Sequence, residues 1–523
     1  MSQLQTSEIQ PHRFGPRAKG GIVFGLRGGQ LTIMTTVLIL MTVAVRSTSS
    51  IAGAVAGLLV FGLGALVAFL PIRRRALDQW LPIFASYWNR QLSGHTRWLS
   101  RAHLQGHLLE PGGRLRPPRD QPPGLKGVEI LSVTADYLSG EVGILRDGKR
   151  YVGVSSVQGQ SFALMDPDDQ ARLGNAWASI IGSYGVADSL IRRIGFVERA
   201  MPEDPGALRT YALEKIPELA GTRTQEEVEF RLREVPELRA NHIRGYLEGV
   251  ELTGPAARQH ECFVSLELDT ASPRVAKQCK RIGRGDVGRG ACEVLMRAVA
   301  DLEERLETTM DLRVHGHLTP RQLAKVVRTH YYPASRRQRT RLEQLGAEPG
   351  EHPANAGPRA FAEYLDHVQA DGACHTTYHI AEFPRQDVPM TFLAPLLLHT
   401  KAARTVAMVM EPVDPQKAGR EIDASQFVRN MIRRGREHYG FESTFRQRSE
   451  DEKVEQVGEE HAAGHVNVRF SAYLTVSAES REDLDWATAE VETQVAQSLL
   501  EAERLWGQQG PAFVYTLPLA RGL

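Results

Sequence analysis

Two uncharged stretches near the N-terminus constrain this chain more than any other feature of its sequence. Gly28–Val45 contains 18 residues without a charge, and Ser47–Ile72 contains another 26 after the single residue Arg46. A helix rises about 1.5 Å per residue, so roughly 20 apolar residues cross the hydrocarbon core of a bilayer. The sequence therefore predicts a transmembrane hairpin of two helices over residues 28–75.

The basic residues around these stretches predict how the hairpin is oriented. Before the first stretch and directly after the second lie Arg13, Arg17, Lys19, Arg27, Arg73, Arg74 and Arg75. The connection between the stretches carries only Arg46. Because positive charges stay on the cytoplasmic side, we expect a multi-pass protein of the cytoplasmic membrane. Both of its termini, including the tail 1–27, would then lie in the cytoplasm.

Two other interpretations of these stretches fit less well. A cleaved signal peptide needs a small-residue cleavage site, and none precedes Arg46. A helical hairpin buried in a soluble protein is the other alternative, but apolar residues here surround the whole helix circumference. The glycines Gly53, Gly57, Gly62 and Gly64 are typical of helices that pack closely in lipid.

Aromatic residues follow the second stretch at loosely helical spacing, namely Trp80, Tyr87, Trp88 and Trp98. They fit a helix that lies on the inner leaflet, and a core-facing stripe fits them about equally well. The candidate membrane-anchoring residues are Arg73, Arg74, Arg75, Trp80 and Trp88. This juxtamembrane region, 76–124, ends in the proline- and glycine-rich stretch Glu110–Gly124, which marks a domain boundary.

The composition limits the classes of function. With 42% hydrophobic and 24% charged residues the chain fits a globular protein, and its net charge of +1 argues against direct nucleic-acid binding. Its four cysteines are scattered without a CxxC pair, which is typical of reduced thiols in the cytoplasm. At 523 residues, with roughly 150 residues per domain, it has room for about three domains.

Strand and helix patterns alternate beyond the linker. Tyr137–Leu145 and Lys149–Val157 flank the turn dipeptide Asp147-Gly148 and predict a β-hairpin. Asp166-Pro167 and Thr319-Pro320 each pair a capping residue with a proline, which predicts the start of a helix.

A second block, with strands at Cys374–Phe383 and Arg404–Glu411, repeats the theme. Long antiparallel strand pairs with helices on one face indicate an α+β fold. We therefore expect one α+β domain at 125–330, an irregular excursion at 331–359 and a second α+β domain at 360–523. The two domains could be similar halves, but no sequence repeat demonstrates a duplication.

The search for catalytic motifs gives no candidate catalytic, cofactor-binding or metal-binding residue. The chain has no P-loop lysine motif, no G-x-S-x-G elbow and no H-E-x-x-H pair. The glycine-rich segment Gly283–Gly290 could bind an anion with Arg284 and Arg289, but a flexible loop before a helix fits it better. We therefore expect a protein that is not an enzyme and needs no cofactor.

The histidines do not form an evident metal site, and the arginine clusters do not identify a ligand. His375 and His379 fall in a predicted strand, where four residues separate the two rings by about 13 Å, too far to share one metal. His315 and His317 could chelate across a strand face, but no third ligand is evident. Arginines cluster at Arg336, Arg337, Arg339 and Arg341 and again at Arg433, Arg434 and Arg436. A solvated surface explains them best, with anionic lipid or an acidic partner as the alternatives.

Three late segments carry a family resemblance. They are Phe392–Thr400 (FLAPLLLHT), Arg404–Pro412 (RTVAMVMEP) and Thr516–Leu523 (TLPLARGL). With these segments the chain resembles a family of actinobacterial membrane proteins encoded with conjugative, type IV secretion-like gene clusters. The early hairpin and the Arg73-Arg74-Arg75 sequence that follows it are similar to that family as well, so the likeness covers nearly the full length.

The resemblance implies a structural subunit of a secretion or conjugation apparatus. The hairpin is similar to the small PrgI-type membrane subunit, and the soluble body looks like the N-terminal, non-catalytic domain of VirB-type assembly ATPases. The motor domain with its Walker motifs is absent, so the ATPase would be a separate chain docked on this one. Other channel subunits, inner-leaflet lipid and further copies of the chain are the remaining implied partners. If partly exposed, Phe392, Leu393, Leu396 and Leu397 are candidate contacts for such a partner, and burial in the core is the alternative.

Other functional classes stay open at this point. A type VII secretion component of the EccE kind also has an N-terminal membrane hairpin and a cytoplasmic body. A membrane-tethered enzyme would show titratable groups with perturbed pKa values in one pocket. A tethered nucleic-acid binder would need a basic groove.

Overall fold

The computed structural model describes residues 28–48, 51–69, 71–72, 75–100, 121–134, 140–159, 162–186, 188–202, 205–222, 224–253, 258–384, 386, 388–398, 401–414, 419 and 466–523. The N-terminal tail 1–27, most of the predicted linker and the arginine cluster at Arg433 lie outside these residues.

The two apolar stretches form helices α1 (Gly28–Thr48) and α2 (Ile51–Phe69). They lie antiparallel and in contact: a Cβ on Gly64 would come within 2.3 Å of Val37 Cγ2, and the Gln30 amide donates to the Ala68 carbonyl at 3.0 Å. Among the described residues, one helix is long and apolar enough to cross a membrane. That stretch is Gly28–Arg46, and only 6% of it is buried against the rest of the protein. The described apolar part of α2, Val55–Phe69, is shorter than a full span.

The remaining helices surround one large sheet. They are α3 (Leu77–Leu92), α4 (Pro167–Ser183), α5 (Pro205–Lys215), α6 (Gln225–Leu232), α7 (Glu237–Thr253), α8 (Pro273–Ile282), α9 (Val287–Met310), α10 (Pro320–Tyr331), α11 (Ser335–Gln344), α12 (Ala394–Leu398), α13 (Arg481–Gln497) and α14 (Gln509–Phe513). The predicted helix starts are confirmed, since Asp166 precedes α4 and Thr319 closes a capping box on α10. The segment 331–359, expected to be irregular, contains α11.

Strands β1 (Pro71–Ile72) and β2 (Arg75–Ala76) form a separate short pair. The other described strands make a 13-stranded sheet. They are β3 (Arg97–Leu99), β4 (Val128–Thr134), β5 (Glu141–Asp147), β6 (Arg150–Gln158), β7 (Ile191–Pro202), β8 (Arg258–Asp269), β9 (Arg313–His317), β10 (Ala360–Glu363), β11 (Val368–Ala370), β12 (Ala373–Glu382), β13 (Ala403–Pro412), β14 (Val468–Ala478) and β15 (Glu501–Arg504). All pairings between them are antiparallel, so the predicted α+β class with a large antiparallel sheet is confirmed.

The sheet contains the same strand order twice. The first half runs β4-β5-β6-β8-β7 and the second runs β10-β11-β12-β14-β13, with β9 beside β6 and β15 beside β12. The register repeats as well: Phe196 pairs with Val264, and 210 residues later Val406 pairs with Leu474. The two halves meet where β7 and β13 pair, around Val197 and Ala407. The ranges predicted as two domains therefore share one topology and contribute to one continuous sheet.

Helices cover both faces of this sheet. A Cβ on Gly153 would lie 2.7 Å from Val299 of α9, whereas a Cβ on Gly143 would lie 2.6 Å from Leu323 of α10. Gly153 pairs with Ile144, and neighbouring residues of a strand point to opposite faces, so α9 and α10 lie on opposite sides. The expectation of helices on one face is wrong, because the helix after β9 crosses to the other face.

Candidate functional site

Helix α3 lies at the junction between the pair α1–α2 and the large folded body that contains the sheet. The first turn of α1 lies beside the last turn of α2, where Gln30 contacts Ala68. The start of α3 lies at the same end of the pair, because Asp78 of α3 lies against Gly29 of α1. Two arginines then connect this region to the body. Arg75 contacts Glu503 at 2.9 Å, and Arg90 contacts Glu363 at 2.9 Å.

Apolar packing reinforces these ion pairs. Trp80 is 6% exposed, and its ring stacks on Phe84 at a centroid distance of 5.4 Å. Ile83 packs against Gly507, and Arg90 donates to the Gly507 carbonyl at 2.7 Å. One face of α3 therefore rests on the segment that follows β15. These contacts attach α3 to the body, and the contact of Asp78 with Gly29 places α3 against α1.

The candidate anchoring residues have different positions in this arrangement. Arg73 and Arg74 lie outside the described residues. Arg75 is paired with Glu503, and Trp80 is buried beneath Phe84 and the Arg75 guanidinium, which lies 5.9 Å from the centre of its ring. Only Trp88 presents its ring to the surroundings, with 58% of the residue exposed.

The candidate partner-contact residues belong to a packed region. Leu396 is 0% exposed in a hydrophobic cluster formed with α13 and neighbouring strands. Phe392, Leu393 and Leu397 are partly buried and pack against the same cluster. The exposed apolar residue of the segment is the next one, Leu398.

A buried polar network lies where the two halves of the sheet meet. The guanidinium group of Arg404 donates to a carboxylate oxygen of Glu198, and the other oxygen lies 2.7 Å from His260 Nδ1. Beside it, Arg199 donates to Glu261 at 2.7 Å and to the Val326 carbonyl at 2.8 Å. Sequence reasoning missed this network because its members come from strands and helices far apart in the chain.

A cavity of about 570 Å³ lies between the C-terminal segment and the sheet. Arginines Arg150, Arg193 and Arg521 line it, and each is already ion-paired with a carboxylate. A second cavity of about 420 Å³ is lined by Arg75 and Arg90, which are paired as described above. Arg150 and Arg521 share the carboxylate of Asp147, whereas Arg193 pairs with Glu411.

Glu267 lies next to Arg193, one of the arginines that line the larger cavity. It is 0% exposed, its nearest cation is Arg193 Nη1 at 3.8 Å, and neither carboxylate oxygen has a hydrogen-bond partner among the described residues. Burial raises the pKa of Glu267 to about 7, against the opposing effect of Arg193 and two neighbouring arginines. This carboxyl group therefore titrates near neutral pH.

His375, one of the candidate metal ligands, has a structural role. His375 lies in strand β12 as predicted, is 0% exposed, and contacts Ser477 Oγ at 2.8 Å and the Tyr331 carbonyl at 3.0 Å. Burial lowers the pKa of His375 to about 4, so it stays neutral. No group of three or more metal-ligating side chains occurs in the part of the chain that the structure describes.

The glycine-rich segment is a tight helix–helix connection. Asp286 caps α9 by accepting from the Gly288 and Arg289 amides, so its carboxylate occupies the position where an anion would bind. A Cβ on Gly290 would lie 1.8 Å from the Cys279 carbonyl oxygen of α8. The glycines therefore serve close packing of α8 against α9.

Helix α13 presents an unusual surface. Trp486 is 75% exposed, and the helix carries Arg481 against five carboxylates: Glu482, Asp483, Asp485, Glu490 and Glu492. The helix in the equivalent position of the first half, α9, mixes three arginines with five carboxylates and has no tryptophan. The α13 surface is thus both acidic and aromatic.

Comparison with models of known protein families gave no match, and comparison with curated proteins gave none either.

Proposed function

We propose that this chain is a membrane-anchored, non-catalytic scaffold subunit of a conjugative, type IV secretion-like apparatus. In this proposal α1 and α2 form a transmembrane hairpin, and the body docks a separate assembly ATPase at the cytoplasmic face. The observation that carries the proposal is that α3 lies against the exposed apolar helix α1, through Asp78 and Gly29, and is also attached to a large folded body. Arg75, Arg90 and Ile83 make this connection, which suits a subunit that holds a partner at a fixed place beside a membrane.

The exposed face of α13 supports the docking part of the proposal. A tryptophan that is 75% exposed among carboxylates fits a basic partner surface, because a guanidinium group can stack on the indole while it pairs with Asp485 or Glu482. We therefore propose that a basic face of the ATPase binds α13. The segment Phe392–Leu398 would support α13 from beneath through Leu396.

The test is co-purification from the native host. The tagged full-length protein is solubilised, and the proteins that co-elute are identified by mass spectrometry against an unrelated membrane protein. We expect an assembly or coupling ATPase, and we expect Trp486→Ala with Asp485→Arg to lose it. A matched control is Leu345→Ala, which alters another exposed apolar residue, 70% exposed, directly after the end of α11.

The same experiment separates the alternatives. Enrichment of a type VII secretion ATPase would replace the conjugation assignment with the EccE-like one. If no secretion component is enriched, the scaffold proposal is wrong.

A further inference from the structure

The outward face of helix α3 is apolar along its whole length. Leu81, Phe84, Trp88 and Leu92 are exposed by 52%, 38%, 58% and 84%, respectively. Their spacing of three or four residues places them in one stripe, and the buried residues Trp80 and Ile83 lie on the adjoining face of the helix.

This face also lacks charge. The charged residues of α3 are Asp78 and Arg90. Asp78 lies against Gly29 of α1, and Arg90 is bonded to Glu363. The other exposed side chains of the helix, including Ser86, Asn89 and Gln91, are neutral. A helix facing water usually carries charges on its outward side, so this face is not matched to water.

The position of the stripe indicates what covers it. α3 starts beside the end of the α1–α2 pair, and α1 exposes apolar residues such as Leu38 and Ile39 to its surroundings. The apolar surface of α1 and the stripe of α3 therefore belong to adjacent, directly packed elements. A surface continuous with a membrane-crossing helix would meet the boundary between lipid headgroups and acyl chains.

We propose that α3 lies in the membrane interface and inserts Leu81, Phe84, Trp88 and Leu92 into the cytoplasmic leaflet. The proposal rests on the membrane anchorage proposed for α1 and adds a second, in-plane attachment. Because another face of α3 is attached to the body by Ile83 and Arg90, the bilayer would set the orientation of the whole sheet.

Fluorescence quenching by brominated lipid tests the proposal. The full-length protein is reconstituted into vesicles of phosphatidylcholine and phosphatidylglycerol, with bromine placed near the headgroup end of the acyl chains. We compare wild type with Trp88→Phe and with the matched control Trp486→Phe, the other strongly exposed tryptophan among the described residues. We expect Trp88→Phe to lose most of the bromolipid-dependent quenching and Trp486→Phe to retain it.

Two readouts keep the proposals separate. Co-flotation of the wild-type protein with vesicles after an alkaline carbonate wash reports the anchorage by α1, and an unchanged unfolding midpoint shows that Trp88→Phe is folded. If the protein floats but Trp88→Phe is quenched as strongly as wild type, the in-plane attachment is wrong and the anchorage stands. If wild type does not float, the anchorage itself is wrong and the in-plane attachment fails with it.

Discussion

Arg404 of β13 and Glu198 of β7 form a buried ion pair across the ladder that joins the two halves of the sheet. Arg404 is 0% exposed and also donates to the Leu397 carbonyl, while Glu198 receives a second contact from His260. The pair therefore connects the ladder to helix α12, through Leu397, and to the neighbouring strand β8, through His260. Removing one member leaves the other buried without its counter-charge.

We expect Arg404→Met to destabilise the protein by roughly 3–5 kcal/mol, because it leaves the Glu198 carboxylate buried and unpaired. The measurement is the thermal unfolding midpoint in detergent. The double variant Arg404→Met with Glu198→Leu should recover most of the loss, since it removes both charges. Arg146→Met, which breaks a surface pair with Glu129, should cost only about 0–1 kcal/mol. Equal losses for the buried and surface variants would contradict this account.

Local signals in the sequence predicted local structure well. The helix starts at Asp166 and Thr319 and the strand containing His375 are found where their residue patterns indicate. The predicted hairpin is found as well, with its turn one residue later, at Gly148-Lys149, because Asp147 pairs with Arg150. These features depend on neighbours a few residues away. The pairing of Val197 with Ala407 depends on residues 210 positions apart, and no local pattern encodes it.

The candidate site was predictable to a similar extent. The apolar stretches and the aromatic residues after them predicted a helix next to the apolar pair, where α3 is found. Helical spacing alone could not decide whether Trp80 or Trp88 is buried, because that depends on the contact of Ile83 with Gly507. The acidic face around Trp486 was missed because a single tryptophan in a charged helix is also typical of a core-facing residue.

Glu267 predicts an unusual pH dependence. Because its folded pKa is about 7 and its unfolded value is the ordinary one near 4.5, the folded state binds more protons between these values. Its contribution to stability is therefore fully present below about pH 4.5 and is lost as the pH rises through about 7. At about pH 8 we expect Glu267→Gln to increase the free energy of unfolding by up to about 3 kcal/mol and so to raise the thermal unfolding midpoint. At about pH 5 we expect little change in either quantity.

Glu261 provides the control of opposite sign. Burial by itself would raise the pKa of Glu261. The positive charges of Arg199 and Arg336 outweigh this effect and hold the pKa below its usual range. Its stabilising contribution is thus present above the unfolded pKa and lost as the pH falls. Glu261→Gln should destabilise the protein at about pH 8 by roughly 3 kcal/mol, because Arg199 loses its partner. The same midpoints that test Glu267→Gln check this, and equal shifts in the two variants would disprove both assignments.

The α8–α9 connection gives a prediction about glycine. Gly290→Ala would place a methyl group 1.8 Å from the Cys279 carbonyl, so α8 and α9 must separate, at a cost of about 1–3 kcal/mol. Gly245 of α7 has open space around its Cβ position. Gly245→Ala should therefore stabilise its helix by about 1 kcal/mol. Unfolding midpoints of the two variants should move in opposite directions, and a rise for Gly290→Ala would rule out the close contact.

The two glycines Gly62 and Gly64 of α2 test the packing of the apolar pair. A Cβ on Gly64 would lie 2.3 Å from Val37 Cγ2, whereas a Cβ on Gly62 would meet no atom within 4 Å. Both substitutions by leucine add the same apolar volume, so their partition into lipid should be similar. Gly64→Leu must push α1 and α2 apart, and we expect it to destabilise the pair by about 1–3 kcal/mol. Gly62→Leu should be tolerated, because its side chain projects into open space.

The measurement is the thermal unfolding midpoint of each variant in lipid nanodiscs, followed by protection of α1 from proteolysis. If Gly62→Leu lowers the midpoint as much as Gly64→Leu does, α1 and α2 do not pack through this face.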